Sequence, residues 1–177
     1  ATASNEIKAQ IMAVDGMGEV DVEVAGGLVL LSGRVNTPEL KLHAESIAWS
    51  SSRADDVANE IRIEGPGSLL ASANDELISA RVRSRLIGSR SVQAINFNVE
   101  TYDGVVYLMG IARDEAELVK AAEEASYAGG VKQVVSYIRL RDERGQIIPY
   151  RPAPEPQAAP LFEPEQSPSA PGDLLGG

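Results

Sequence analysis

Apolar positions change period along the chain in a fixed order, and the order occurs twice. In the later stretch Ile78, Val82 and Leu86 recur at four-residue spacing, which predicts an amphipathic helix with Asp75 as its cap. Ile95, Phe97 and Val99 then alternate with polar residues, the period of a strand buried on one face. Tyr102-Asp103-Gly104 is a tight-turn signal and Val105 to Met109 an unbroken strand-sized run, so a hairpin is expected there. Asp114 followed by Glu117 has the capping-box pattern and opens a helix carrying Leu118, Ala121, Ala122 and Ala125, which stops at Gly129-Gly130. Val134 to Leu140 is the last strand.

The earlier stretch repeats this plan more weakly. Ser4 precedes a short helix bearing Ile7 and Ile11; Val20, Val22 and Val24 alternate; Gly26-Gly27 turns the chain into a strand at Leu28 to Leu31. Thr37-Pro38 starts the next helix, with proline at the first helical position, where no donor is lost, and Leu40, Ala44 and Ile47 share a face. Val57 to Ile63 closes the unit. Gly27-Leu-Val-Leu-Leu-Ser-Gly33 superposes on Gly104-Val-Val-Tyr-Leu-Met-Gly110 at an offset of 77, and the same offset carries Val57 onto Val134, Ile61 onto Ile138 and Ile63 onto Leu140. A register held over about 37 residues without a gap is an internal duplication. Gly27, Gly33, Gly104 and Gly110 are its expected structural turns.

The fold class is therefore α+β: two tandem α-β-β-α-β units, each with two helices on a three-stranded mixed sheet. The units are expected over residues 4–64 and 75–141, joined by a linker over 65–74 that contains Gly65-Pro-Gly-Ser68. A unit this small has a marginal core, so the two copies are expected to support each other. Residues 142–177 form a tail. Eight of the 10 prolines fall between Pro149 and Pro171, and a stretch with so few donors and no apolar period cannot offset its ordering entropy, which predicts disorder from about Arg151 onward.

Charge and composition exclude several functions. With 16 basic against 26 acidic residues the chain carries −10, which argues against a general nucleic-acid binder. The absence of Cys removes thiolate metal sites, Cys nucleophiles and disulfides, and a single His makes a His-rich metal site or a Ser/His/Asp triad a poor fit. No apolar run approaches the ~20 residues of a spanning helix. His43 lies in a polar register near Glu39 and Glu45 and is read as a surface residue. Trp49 is read as core or inter-unit packing, with a lipid interface as the alternative. Asp55-Asp56 and Glu123-Glu124 are adjacent carboxylates that diverge, and Gly16-Met17-Gly18 and Gly129-Gly130 lack the context of phosphate loops. No catalytic residue, metal or cofactor is assigned, and an enzyme is not expected.

Dividing the charge locates it. Residues 1–74 hold 5 basic and 11 acidic residues (−6), residues 75–150 hold 10 and 11 (−1), and the tail holds 1 and 4 (−3). The helix from Asp75 to Ile87 stands out against this background, with Arg81, Arg83 and Arg85, followed by Arg90. At about 100° per residue Ile78, Val82 and Leu86 face the sheet, while Leu77, Ala80, Ser84 and Ile87 fall on another face with Arg81 beside them and Arg83 further round. An apolar patch rimmed by arginine suits an anionic membrane surface, each basic residue contributing ~1 kcal/mol. The same arginines are also what a solvated face carries, and Leu77 and Ile87 can instead pack against the first unit.

The repeat unit resembles the BON domain, on Val57-Ala-Asn-Glu-Ile-Arg62, Gly65-Pro-Gly67, Ser72-Ala-Asn-Asp75 before Ala80-Arg-Val-Arg-Ser-Arg-Leu86, Gly104-Val-Val-Tyr-Leu-Met-Gly110 and Gly130-Val-Lys-Gln-Val134. The resemblance spans Asn5 to Arg141 and is to dual-BON outer-membrane lipoproteins. It implies a periplasmic protein at the inner leaflet of the outer membrane that binds anionic phospholipid, such as phosphatidylglycerol or cardiolipin, and supports envelope integrity and stress response, including at division sites. It places the lipid surface on the first helix of the second unit, where Leu77 stands in place of a membrane-inserting aromatic. The lipid-modified Cys it implies would lie upstream of Ala1. On this reading Leu77 and Ile87 insert shallowly, Arg81 and Arg83 engage phosphates, and Ala80 and Ser84 complete the surface. Phe97, Tyr102, Tyr107, Tyr127 and Tyr137 are expected to give the second unit the better core. The rival reading is an adaptor within an envelope complex, using the BON units and the tail to reach envelope proteins.

Overall fold

The computed structural model describes residues 2–67 and 69–148. The first unit comprises α1 (Ala3–Met12), β1 (Val20–Ala25), β2 (Leu28–Val35), α2 (Pro38–Trp49), β3 (Asp56–Asn59) and β4 (Arg62–Ile63). The second comprises α3 (Leu69–Gly88), a 3-10 turn (Ala94–Asn96), β5 (Phe97–Tyr102), β6 (Val105–Ile111), α4 (Glu115–Ser126) and β7 (Gln133–Arg139). In each sheet the second strand is central, antiparallel to the strand before it and parallel to the strand that follows the helix. β3 and β4 both run parallel to β2, in one register broken at Glu60-Ile61. The α+β duplication expected from the periodicities is thus the observed architecture.

Local chemistry accounts for the elements. Thr37 and Asp114 cap α2 and α4 by accepting from the backbone N–H of Leu40 and Glu117. The hairpins turn through Gly26-Gly27 and Asp103-Gly104, each pair at positive φ as a type I′ turn requires. Gly33 and Gly110 are not turns, contrary to expectation. They lie inside β2 and β6 at φ of +101° and +140°, and a Cβ on either would sit about 2 Å from a backbone oxygen, that of Glu19 or of Asn96. The repeat keeps glycine there because a neighbouring main chain comes that close.

Three other expectations are corrected. Helix α3 starts at Leu69, so residues 69–74 are helix rather than linker, and Asp75 lies within the helix instead of capping it. Helix α1 is capped by Thr2, and Ser4 lies inside it, donating to the Val22 carbonyl at 2.7 Å. The first seven residues of the expected tail are folded: Arg141 pairs with Ile147 around a turn, and Ile148 N–H donates to the Leu140 carbonyl. The proline-rich remainder lies outside the described residues.

Each central strand is buried on both faces. Val29 and Leu31 pack under α1 and α2, and Val106 and Leu108 pack under α3 and α4. Leu28, Leu30 and Ala58 point the other way and meet Val105, Tyr107, Met109 and Tyr137, so the two sheets stack back to back with the helices outside. This explains the runs Leu28 to Leu31 and Val105 to Met109, in which alternation disappears. It also corrects the reading of the aromatics. Phe97 joins the second unit's own core, but Tyr107 and Tyr137 build the junction. Tyr102 packs beside them and receives the Arg34 Nε–H, while Tyr127 is exposed.

Polar contacts pin the junction at its edges. Arg62 pairs with Asp103 at 3.0 Å, the Tyr137 hydroxyl donates to Glu60, and Asn98 donates to Glu23 at 2.8 Å. Arg139 is buried and donates through Nη2 to the carbonyls of Ala25 and Gly26 at 2.9 and 2.6 Å. Burial lowers its pKa against the opposing pull of Asp56 and Asp55. The hairpin turn of the first unit is therefore held by a side chain of the second.

Candidate functional site

The orientation of α3 is set by its inner face. Ile78, Val82 and Leu86 are fully buried, and two polar contacts fix the rotation further. Asp75 accepts the N–H groups of Asp103 and Gly104 at 2.7 and 2.8 Å, and the Ser79 hydroxyl donates to Thr101 Oγ1 at 2.8 Å. A carboxylate gripping two turn N–H groups is a charge-assisted strut between the helix and its hairpin. Local pattern points to a cap at Asp75 because Asp before an apolar stripe has that signature; its use across 28 residues of sequence leaves no local trace.

With that face inward, Leu77, Ala80, Arg81, Arg83, Ser84 and Ile87 are all exposed. Leu77 is 49% and Ile87 74% exposed, and neither belongs to the apolar cluster that joins the two units. The arginines do not converge. Arg81 Nη1 donates to the Gly129 carbonyl at 2.9 Å on the α4 side, and Arg83 Nη2 donates to the Val99 carbonyl at 2.8 Å on the β5 side. Arg85 also turns toward α4, pairing with Glu124 at 2.8 Å and lying 5.5 Å from the Tyr127 ring centroid. The geometry is a central strip of Leu77, Ala80, Ser84 and Ile87 with guanidinium groups along both borders. Arg81, Arg83 and Arg90 form no ion pair among the described residues. From Leu77 to Val99 there is no Asp or Glu at all.

Two aromatics depart from the sequence expectation. Trp49 is 49% exposed at the end of α2, on the face of the molecule opposite α3, and is not core. Tyr127 stands beside α3 with its hydroxyl donating to Glu123 at 3.1 Å. An apolar ring with a polar tip next to Arg85 belongs to the basic face, a role that the sequence separation of 42 residues hides.

Besides Glu124, which pairs with Arg85, Glu100 and Glu117 are carboxylates shifted by their surroundings. Glu100 on β5 is partly buried at the edge where the units meet, and burial together with Asp21, Glu23 and Glu76 pushes its pKa up to about 7 against the pull of Arg83. Glu117 is buried at the start of α4; burial opposes its charge, but the N–H groups of Arg113 and Gln93 and the Arg113 guanidinium hold its pKa below the usual range. It therefore acts as a variant capping box, reaching one residue before the cap and across to the Gln93 loop. His43 is exposed as expected. Among the described residues no group of three His, Asp or Glu side chains converges on a metal position, and no helix is long and apolar enough to cross a membrane.

Comparison with known proteins bears on the whole of this architecture. The family model of the BON domain matches residues 2–65 and 74–142. The chain is 38% identical over 126 residues to an uncharacterised Anaplasma centrale protein encoded in the gshII 5′ region, a match covering 71% of this chain and 83% of that protein. It is 29% identical over 126 residues to the outer membrane lipoprotein DolP of Haemophilus influenzae, covering 71% of this chain and 64% of that protein. It is 25% identical over 140 residues to the osmotically-inducible protein Y of Escherichia coli, covering 77% and 70%.

Proposed function

The chain belongs to the BON-domain family, as a tandem of two such domains, and on that premise we propose that it is an envelope protein that binds anionic phospholipid through the outer face of α3. The observation that carries the reading is the stretch from Leu77 to Val99: four arginines, no carboxylate side chain, and Leu77 and Ile87 exposed between the guanidinium borders, in a chain of −10. A helix held by one face with such a strip on the other lies in a membrane interface, the apolar residues below headgroup level and the arginines among phosphates. Arg81 and Arg83 each use one donor on a backbone carbonyl, which fixes their direction and leaves further N–H groups of the guanidinium for phosphate oxygens. The relatives' names, an outer membrane lipoprotein and an osmotically-inducible protein, support a place at the outer membrane, and the proposal extends this to the periplasmic side, to envelope integrity and to division sites.

At ~1 kcal/mol per basic residue near an anionic surface the binding is weak and salt-sensitive, so a second attachment would strengthen it. The test is sedimentation with vesicles of phosphatidylglycerol or cardiolipin in phosphatidylcholine. Binding at low ionic strength that fades with salt, and is lost in Arg81→Glu with Arg83→Glu, is the expected result. A protein that stays in the supernatant at low salt, or a double variant that binds unchanged, overturns it.

A further inference from the structure

Beyond the strip, the C-terminal half of α3 borders an apolar cleft that the lipid-surface reading does not require. Leu86, Phe97 and Val99 form its floor, Ile87 and Ile95 its two walls, and Arg83 lies at its mouth; the volume is about 270 Å³. The walls face water: Ile87 is 74% and Ile95 94% exposed. Ile95 belongs to the 3-10 turn Ala94–Asn96 ahead of β5, where the alternation of Ile95, Phe97 and Val99 predicts an inward residue. The turn breaks the strand period and swings Ile95 out, so the second unit displays its most exposed large apolar residue beside a cleft floored by its own core.

We propose that this cleft takes the end of one acyl chain of an anionic phospholipid drawn from the bilayer on which α3 lies. The proposal rests on the lipid reading of α3 and adds to it a depth and a pocket. The volume falls just below the ~300–1,000 Å³ of sites that enclose a whole small molecule, which suits part of a single chain and not a complete lipid. The charge pattern matches: Arg83 marks the mouth, Arg90 follows in the loop after α3, and no carboxylate is among the residues lining the cleft, Glu100 on β5 being the next residue beyond Val99. Ile87 and Ile95 enter the hydrocarbon boundary as a pair, with the chain end between them and its phosphate at Arg83.

The experiment places a fluorophore at the wall. The only Trp of the chain is removed by Trp49→Phe, and Ile95→Trp is introduced in that background; the protein is then mixed with phosphatidylglycerol vesicles whose acyl chains carry bromine. Fluorescence quenched by more than half is expected, whereas Leu42→Trp in the same background, on the far face of the molecule, stays unquenched. Ile87→Asp with Ile95→Asp, both at exposed positions, is expected to weaken vesicle binding at least tenfold while the melting temperature stays unchanged. Vesicle binding without quenching from Ile95→Trp overturns the cleft and leaves the lipid reading of α3 standing. Quenching by dispersed brominated fatty acid but not by vesicles overturns the bilayer as the source. Absence of any vesicle binding overturns both.

Discussion

The two units keep one strand register and one set of glycines, yet their hairpin turns are held differently. The turn at Asp103-Gly104 is gripped by Asp75 from the second unit's own α3, whereas the Gly26 carbonyl at the first unit's turn is held by Arg139 from across the junction. Both turns receive a side chain from across the junction, Arg139 at the first and Arg62 at the second, but only the second is also gripped by a carboxylate from a helix of its own unit. What this teaches is where change was permitted: the sheets are fixed on both faces, while the outer helices are constrained on one face only. The basic strip lies on the free outer face of α3.

The largest expected effect tests whether the halves behave as one body. Leu30 is fully buried at the junction of the sheets, so Leu30→Ala should cost about 2–5 kcal/mol. Trp49 reports the first unit and far-ultraviolet circular dichroism the whole, and in urea titrations both midpoints should fall together. Separate midpoints would show that the units unfold independently and that the stacked sheets couple them little.

Next in size is the internal strut. Asp75→Ala strips one buried and one part-buried N–H group of their charged acceptor, with an expected loss of about 3 kcal/mol in thermal or urea unfolding. A loss below about 1 kcal/mol would show that the strut from α3 does little to hold the hairpin.

Both results bear on what could be read before folding. The duplication, the hairpins and the caps at Thr37 and Asp114 were legible because each is written within a few residues. The stacking of the sheets had one kind of local sign, the loss of alternation at Leu28 to Leu31 and at Val105 to Met109, which a strand covered on both faces and a short buried segment share. Asp75 and Tyr127 act across the fold, on residues tens of positions away, and adjacent sequence is silent on such contacts. The basic strip was legible in composition and period, but the divergence of Arg81 and Arg83 depends on which carbonyls, those of Gly129 and Val99, lie within reach on either side.

A smaller effect comes from the acidic edge where the units face each other. Glu100 occupies the position that the repeat places on Glu23, and the two lie close enough for their charges to interact. A carboxyl with its folded pKa raised to about 7 holds its proton between roughly pH 4.5 and 7, where the unfolded chain has lost it, so stability falls as pH rises through that window. The penalty is complete above pH 7. Glu100→Gln should therefore match the parent near pH 4 and exceed it by about 2–3 kcal/mol at pH 8, because each pH unit of that window costs the parent ~1.4 kcal/mol before solvent screening at a partly exposed site trims the sum. A constant difference at all pH values would show that Glu100 titrates as an ordinary surface carboxylate.

The smallest effect is the sharpest test of the division of labour. Leu42 on α2 and Leu77 on α3 are both exposed leucines on the outer helical layers, but they face opposite directions because the sheets lie between them. Leu42→Glu and Leu77→Glu should each change stability by no more than about 0.5 kcal/mol, since neither side chain is part of a core. Their effects on sedimentation with phosphatidylglycerol vesicles should differ. A carboxylate at position 77 sits at the N-terminal end of the strip, one turn before Arg81, and both removes apolar contact and repels phosphate, so binding should drop several-fold. A carboxylate at position 42 faces away from the bilayer and should leave binding unchanged. Equal losses would mean that both helical layers touch lipid, and then the exposed Leu42 and Trp49 of the first unit, not only the arginines of the second, would have to be counted in the surface.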